Sequence, residues 1–197
     1  QKPFDGKLNY DFIMWIDSDQ VFSVNAFFSL LRHDTDVVSG LYLMRNGQQY
    51  TAVQNWNEDQ FLTKGSFDFL TRNTLMKWLD ENAEGNIEEK KDKSGAPYKD
   101  YSKCTIPLMP VSYSGLGWTL IKNGVYEKLT YPWFYGTKIS MNKTISIGDE
   151  GSNVSENREI VDYCSEDVTF FINLKKIGIV PYIDPRSIVG HEKSIVL

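Results

Sequence analysis

The order of apolar segments near the start of the sequence constrains the fold more than any other feature. Residues 10–16 are rich in aromatic and β-branched side chains, which indicates a buried strand. Ser23-Val24-Asn25 then offers capping side chains for a helix from Ala26 to Leu31, and residues 36–44 form a second apolar strand. Strand, helix and strand in this order predict an α/β fold with a mainly parallel sheet flanked by helices.

Two carboxylates follow the first predicted strand directly, in the sequence Asp17-Ser18-Asp19. Ligands of α/β sheets bind beyond the carboxyl ends of the strands, so a ligand is expected at this position. Two carboxylates in one site repel each other unless a cation lies between them. Carboxylate oxygens completed by water suit Mg²⁺ or Mn²⁺ held jointly with a diphosphate. A polar turn after a strand would use the same residue types, and this alternative stays open.

Three further short motifs occur downstream. The glycines of Ser114-Gly115-Leu116-Gly117-Trp118 allow a close approach of backbone to a ligand, or a tight turn into a strand from Trp118 to Ile121. Ser165-Glu166-Asp167 begins an amphipathic helix with acids where the helix dipole favours them, which is also an ordinary helix start. Gly190-His191 follows the last predicted strand, residues 179–183.

In this order, from about residue 10 to residue 193, the motifs resemble those of glycosyltransferases with the GT-A (Rossmann-like) fold. The resemblance implies that Asp17, Asp19 and His191 bind Mn²⁺ or Mg²⁺. It places Ser18 and the loop of Gly115, Leu116, Gly117 and Trp118 beside the donor sugar. It also implies that Asp167, with Glu166 as the second candidate, takes the proton of the acceptor hydroxyl. The implied reaction moves a sugar from a nucleotide-diphosphate sugar to a glycan or other hydroxyl acceptor, with inversion favoured over retention.

Two tryptophans are candidates for contacts with sugar rings. Trp118 and Trp133 offer flat faces that could stack on the apolar side of a sugar, although core packing is the safer interpretation of each. Core packing is the general expectation for the many aromatic residues of this chain.

Members of the GT-A family reach their DXD motif only after an N-terminal βαβ half that holds the nucleotide base and ribose. Here 16 residues precede Asp17. We therefore expect this half to be missing, or to be replaced by a partner or a shortened fold. The sequence otherwise predicts a single catalytic domain over residues 1–197, with a polar insertion at about 80–103 and a loop over residues 146–163.

Composition limits the partners. A net charge of −5 argues against nucleic acid, because the chain has no basic stripe to replace phosphate counterions. The two cysteines are too few for a disulfide framework or a multi-cysteine zinc site. No apolar run approaches the roughly 20 residues of a membrane span, and no signal peptide is recognisable, so the expected compartment is the cytoplasm.

Two alternatives to a transferase remain. Phosphatases similar to the haloacid dehalogenases also carry Asp-x-Asp after an apolar strand, and Gly148-Asp149 weakly resembles their later acidic motif. That interpretation gives no task to Asp167 or His191. The other alternative is a non-catalytic domain that binds glycans or has a structural role.

Overall fold

The computed structural model describes residues 8–147 and 154–192. Its strands within these ranges are short, apart from one long pair. In chain order they are β1 (Phe12–Ile16), β2 (Gln20–Val21), β3 (Val37–Leu41), β4 (Ala52–Val53), β5 (Glu84–Gly85), β6 (Glu88–Lys91), β7 (Pro97–Asp100), β8 (Cys104–Thr105), β9 (Met109–Pro110), β10 (Tyr113–Ser114), β11 (Trp118–Lys122), β12 (Thr137–Ile147), β13 (Val154–Cys164), β14 (Tyr182–Ile188) and β15 (Gly190–His191).

Five helices are described within the same ranges: α1 (Val24–Leu31), α2 (Glu58–Lys64), α3 (Arg72–Asn82), α4 (Val125–Lys128) and α5 (Glu166–Lys176). Their starts follow ordinary capping chemistry. The Ser23 hydroxyl accepts a hydrogen bond from the Ala26 N–H at 3.3 Å, and Thr71 and Thr74 form a reciprocal capping box. The helices predicted over residues 26–31 and after Ser165 are confirmed. α2 was not expected from the sequence. None of the described helices is long and apolar enough to cross a membrane.

The main sheet has the strand order β1-β11-β3-β14-β9. Of its neighbouring pairs only β3 and β14 are parallel, and the other three are antiparallel. The remaining strands form small two-stranded antiparallel sheets. The prediction of a mainly parallel, Rossmann-like GT-A sheet flanked by helices is therefore wrong. In a simple βαβ unit β1 and β3 would be parallel neighbours. Here β11 lies between them and runs antiparallel to both.

Alternate residues of these strands point to two different apolar clusters, as the period of two requires. Val38, Leu120 and Met14 pack with Leu30 of α1 on one face. On the other face, Val37 and Ile121 belong to the cluster that contains the buried side of α5: Phe170, Phe171 and Leu174. A third cluster joins the inner side of α3 to β9 and Ile183. β1 was predicted to be buried, but it is an edge strand of the described sheet, and Trp15 and Ile16 remain exposed.

Two peripheral hairpins complete the described structure. The predicted polar insertion at 80–103 contains the hairpin β6–β7, whose exposed strands are joined by ion pairs such as that of Lys90 with Asp100. The loop predicted over residues 146–163 is wrong for most of its length. β12 and β13 pair in regular antiparallel register from Thr137↔Cys164 to Ile147↔Val154, and residues 148–153 lie outside the described residues.

Candidate functional site

The carboxyl end of β1 lies beside the last described strand. Asp17 N–H donates to the Gly117 carbonyl at 3.0 Å, and a turn closed by Gln20 N–H and the Asp17 carbonyl follows. β2 then pairs with β15, with His191 opposite Gln20, and Glu192 N–H donates to the Asp19 carbonyl at 2.8 Å. This two-stranded pairing brings the Asp-Ser-Asp motif to the histidine, although 172 positions separate Asp19 from His191.

The contact of Nδ1 with a carbonyl oxygen fixes the position of one ring proton of His191. Nδ1 lies 2.9 Å from the Leu43 carbonyl oxygen, which only accepts, so Nδ1 carries a proton. Nε2 lies 2.8 Å from Oδ2 of Asp19. It either carries a second proton and forms an ion pair, or turns its lone pair toward a cation shared with Asp19. A backbone carbonyl behind the distal nitrogen is the arrangement that orients metal-binding histidines.

Asp17 lies within the electrostatic reach of Asp19 and Asp167. Burial raises the pKa of Asp17, the charges of Asp19 and Asp167 raise it further, and His191 lowers it. The main-chain turn therefore brings together carboxylates that repel each other. A bound cation would relieve this repulsion.

The glycines of the loop before β11 make room for two polar side chains. A Cβ at Gly117 would lie 2.8 Å from both Cγ of Asp17 and the hydroxyl of Tyr42, and a Cβ at Gly115 would lie 3.0 Å from Cζ of Tyr42. All three distances are shorter than ordinary contacts of a Cβ atom. The sequence predicted that these glycines either allow a close approach to a ligand or form a tight turn. In the structure they leave room for Tyr42 and the Asp17 carboxylate.

Tyr42 connects the glycine loop to the histidine. Its buried hydroxyl accepts a hydrogen bond from the Gly117 N–H at 3.1 Å, and its ring meets His191 edge-on with 5.4 Å between centroids. Burial raises the pKa of Tyr42 to about 12, with the charges of Asp17 and Asp167 adding to the rise. Tyr42 therefore stays a neutral phenol near neutral pH.

Asp167 stands in the first turn of α5 with both oxygens engaged. Oδ2 accepts a hydrogen bond of 2.7 Å from the Tyr113 hydroxyl. Oδ1 accepts bonds from the Ser165 hydroxyl and from the Val168 N–H, the latter at 2.7 Å. Ser165 occupies the N-cap position, but its side chain does not cap the helix. It holds Asp167 instead, so this carboxylate is fixed from three directions.

Comparisons with known proteins do not identify a family for this chain. No protein-family model matches the sequence, and no curated protein matches it. Among solved structures the chain is similar to A197 from STIV, with 17% sequence identity and a TM-score of 0.38, over 95% of this chain and 69% of that chain. A likeness at this level carries no inference about fold or function.

The remaining predicted site residues fall into two groups. Ser18 is exposed in the turn between the two aspartates, Glu166 is exposed at the start of α5, and Leu116 is partly buried against the α5 cluster. The tryptophans are core residues. Trp118 is fully buried against Phe22, with ring centroids 4.4 Å apart, and Trp133 packs on Tyr126. Neither ring exposes a face on which a sugar can stack.

The three predicted metal ligands, Asp17, Asp19 and His191, do not converge on one point. Among the described residues, no three His, Cys, Asp or Glu side chains lie together so as to hold a metal ion. Asp19 and His191 form a direct pair, with Asp17 as an electrostatic neighbour. The donor set of carboxylate oxygen and imidazole nitrogen suits Mn²⁺ better than a site of oxygen alone would. The acidic motif Gly148-Asp149 of the phosphatase alternative lies outside the described residues.

Two tyrosines of the site were missed by sequence reasoning. Tyr113 directly precedes the glycine loop, and Tyr42 directly follows β3. A polar-tipped aromatic residue at the end of a buried strand is the only signal that marks them, and many structural tyrosines share it.

Proposed function

We propose that this protein is a metal-dependent glycosyltransferase that moves a sugar from a nucleotide-diphosphate sugar to an acceptor hydroxyl, with inversion at the anomeric carbon. The observation that carries the proposal is the joint placement of Asp19, His191, Asp17 and Asp167 around Tyr42 and the glycine loop. Residues from both ends of the described chain meet there.

Asp19 and His191 are the residues proposed to hold Mn²⁺ or Mg²⁺, with Asp17 beside them. The Leu43 carbonyl keeps the Nδ1 proton of His191 in place, so Nε2 is the nitrogen turned to the cation. Water and the donor diphosphate would supply further oxygen ligands. When bound, the cation would neutralise charge on the leaving diphosphate, as Lewis-acid metals do in other transferases.

Asp167 is proposed to take the proton of the acceptor hydroxyl. Its two oxygens accept three hydrogen bonds, and a carboxylate has roughly four acceptor positions, so one position remains for a hydroxyl group. The three donors prevent the carboxylate from rotating away from the acceptor. General-base catalysis of this kind is typically worth about 10²–10⁴ in rate. Glu166 is the second candidate because it is exposed at the same helix start.

The direct test is calorimetric titration of UDP-sugars and GDP-sugars into the protein with Mn²⁺, and again with EDTA. We expect binding that requires the metal, followed by transfer or slow hydrolysis of the donor. Asp19→Asn and His191→Gln should each abolish metal-dependent binding. Asp167→Asn should leave donor binding intact and lower turnover by at least about 100-fold.

Asp34→Asn is a matched control. Asp34 is an exposed carboxylate that pairs with Lys122 at 2.8 Å, at the opposite end of β11 from the site. Its replacement should change neither metal nor donor binding. A folded wild-type protein that binds no nucleotide sugar at all would contradict the proposal and favour the non-catalytic alternative.

A further inference from the structure

A cavity of about 670 Å³ opens between α3 and the end of β14, apart from the carboxylates of the candidate site. The turn through Gly47 and Gln48 closes its third side. Its volume falls in the range of cavities that bind small molecules, roughly 300–1,000 Å³. It adjoins the candidate site through Leu43, whose side chain lines the cavity while its carbonyl holds His191.

The floor of this cavity is apolar, whereas its walls combine apolar residues with polar ones. Leu75, Leu79 and Tyr50 form a buried floor that belongs to the α3 cluster. Leu43 and Ile188 stand at the wall and are 38% and 52% exposed. Large apolar side chains left open to solvent around one concave surface are typical of a binding site.

The charge at the rim has one sign. Arg72 is the sole charged residue among the described residues that line the cavity, and no ion pair to it is present in the described part of the chain. Arg72 lies at the first position of α3, one turn before Met76, which lines the same cavity. A guanidinium group beside an apolar cleft suits a ligand with an apolar body and an anionic head.

We infer that this cavity binds a small amphiphilic anion, a single alkyl chain or ring bearing a phosphate or carboxylate group. The apolar part lies on Leu75 and Leu79 between Leu43 and Ile188, and the anionic head pairs with Arg72. The inference does not depend on the proposed transfer reaction, because it uses none of the carboxylates of that site.

The experiment is calorimetry with inorganic phosphate and with octyl phosphate, octanoate and octyl glucoside, the three amphiphiles each below their micelle-forming concentration. We expect the two amphiphilic anions to bind, the uncharged glucoside to bind at least about fivefold more weakly, and inorganic phosphate not to bind. Equal affinity for octyl phosphate and octyl glucoside would overturn the role of Arg72. Equal affinity for octyl phosphate and inorganic phosphate would overturn the role of the apolar walls.

Two variants and one control locate the site. Arg72→Gln should reduce the affinity for octyl phosphate roughly fivefold. Met76→Trp should fill the cavity and reduce the affinity for both anions more than tenfold. Lys77→Gln removes the next cation of α3, which pairs with Glu81 and does not line the cavity, and should have no effect. An equal loss in Lys77→Gln and Arg72→Gln, or no binding by the wild-type protein, would overturn the inference.

Discussion

The hydroxyl of Tyr113 donates a 2.7 Å hydrogen bond to Oδ2 of Asp167, across 54 positions of the chain. Tyr113 is buried, and its ring packs edge-on against Phe171 in the helix that carries Asp167. Burial and the neighbouring Asp167 charge raise the pKa of Tyr113 far above its ordinary value, so this phenol remains a donor at any ordinary pH. The position of the proposed base is thus set by a buried tyrosine from the strand before the glycine loop.

Tyr113→Phe should separate the effect of the hydrogen bond to Asp167 from the effect of the ring packing. The variant keeps the ring contacts and removes the donor from Asp167, so we expect a loss of about 1–3 kcal/mol in unfolding free energy, measured in urea. If Asp167 is the base, kcat should fall at least about tenfold while donor binding stays constant. Tyr98→Phe, on the exposed hairpin strand β7, is the control. Unchanged stability and unchanged kcat would show that the bond is dispensable.

Gly117→Ala should displace side chains of the candidate site, because Gly117 has no room for a side chain of its own. The added methyl group would lie 2.8 Å from both Cγ of Asp17 and the Tyr42 hydroxyl, so one of these groups must move. We expect a stability loss of about 1–3 kcal/mol and weaker Mn²⁺ binding. Gly136→Ala is the matched control, because its nearest neighbour is a carbonyl oxygen at 3.4 Å. Equal Mn²⁺ affinity in the two variants would contradict the role given to Gly117.

The raised pKa of Asp17 should make the stability of the protein depend on pH in the opposite sense to that of an ion-paired carboxylate. Its pKa is raised in the folded protein by burial first and then by Asp19, so the folded state binds its proton more tightly than the unfolded chain. This contribution to stability is complete below the ordinary value of 3.8 and is lost as pH rises through the folded-state pKa. In metal-free buffer at pH 7, Asp17→Asn should therefore melt at a higher temperature than the wild type.

The same comparison tests the cation. The stabilising effect of Asp17→Asn should disappear near pH 3, where the wild-type carboxyl group is protonated as well. Adding Mn²⁺ at pH 7 should raise the melting temperature of the wild type more than that of the variant. Asp11→Asn, at the exposed outer end of β1, should show neither effect. A wild type that melts above Asp17→Asn in EDTA would contradict the interpretation.

Cys164 should be unreactive in the folded protein. It is buried directly before Ser165, and burial, followed by the charges of Glu58, Asp162 and Asp167, raises its pKa to about 11. Only the thiolate attacks alkylating reagents, and little of it exists at pH 8. We expect iodoacetamide to leave Cys164 unmodified in native buffer and to modify it within minutes in guanidinium chloride, as followed by mass spectrometry. Rapid native modification would mean that the start of α5 opens readily.

The sequence was sufficient for several local elements and insufficient for their arrangement. The helix after Ser23 follows from its capping residue, and the helix after Ser165 follows from the acids of its first turn. Both signals are properties of neighbouring residues. Whether a strand pairs in parallel or antiparallel, and with which strand, does not depend on neighbouring residues alone. β1 pairs with β11, more than 100 positions away, and nothing in Phe12–Ile16 specifies that the pairing is antiparallel.

The long hairpin shows the same limit. Residues 154–163 contain polar and acidic side chains that favour a loop, yet they belong to β13 because they pair in register with β12. At the candidate site, Asp17, Asp19, His191 and Asp167 were expected from short motifs. Tyr42 and Tyr113 were missed because their significance depends on contacts made across the fold.

The carbonyl of Leu43 has a consequence for mutational tolerance. It holds Nδ1 of His191 at 2.9 Å and belongs to the main chain. Every amino acid carries this oxygen, so the orientation of the imidazole is indifferent to the identity of residue 43. The substitution Leu43→Ala would change only the apolar wall of the cavity. It would leave the hydrogen bond to His191 in place and so would not reveal it. A change in the path of the backbone through Tyr42–Met44, such as an inserted or deleted residue, would reveal it.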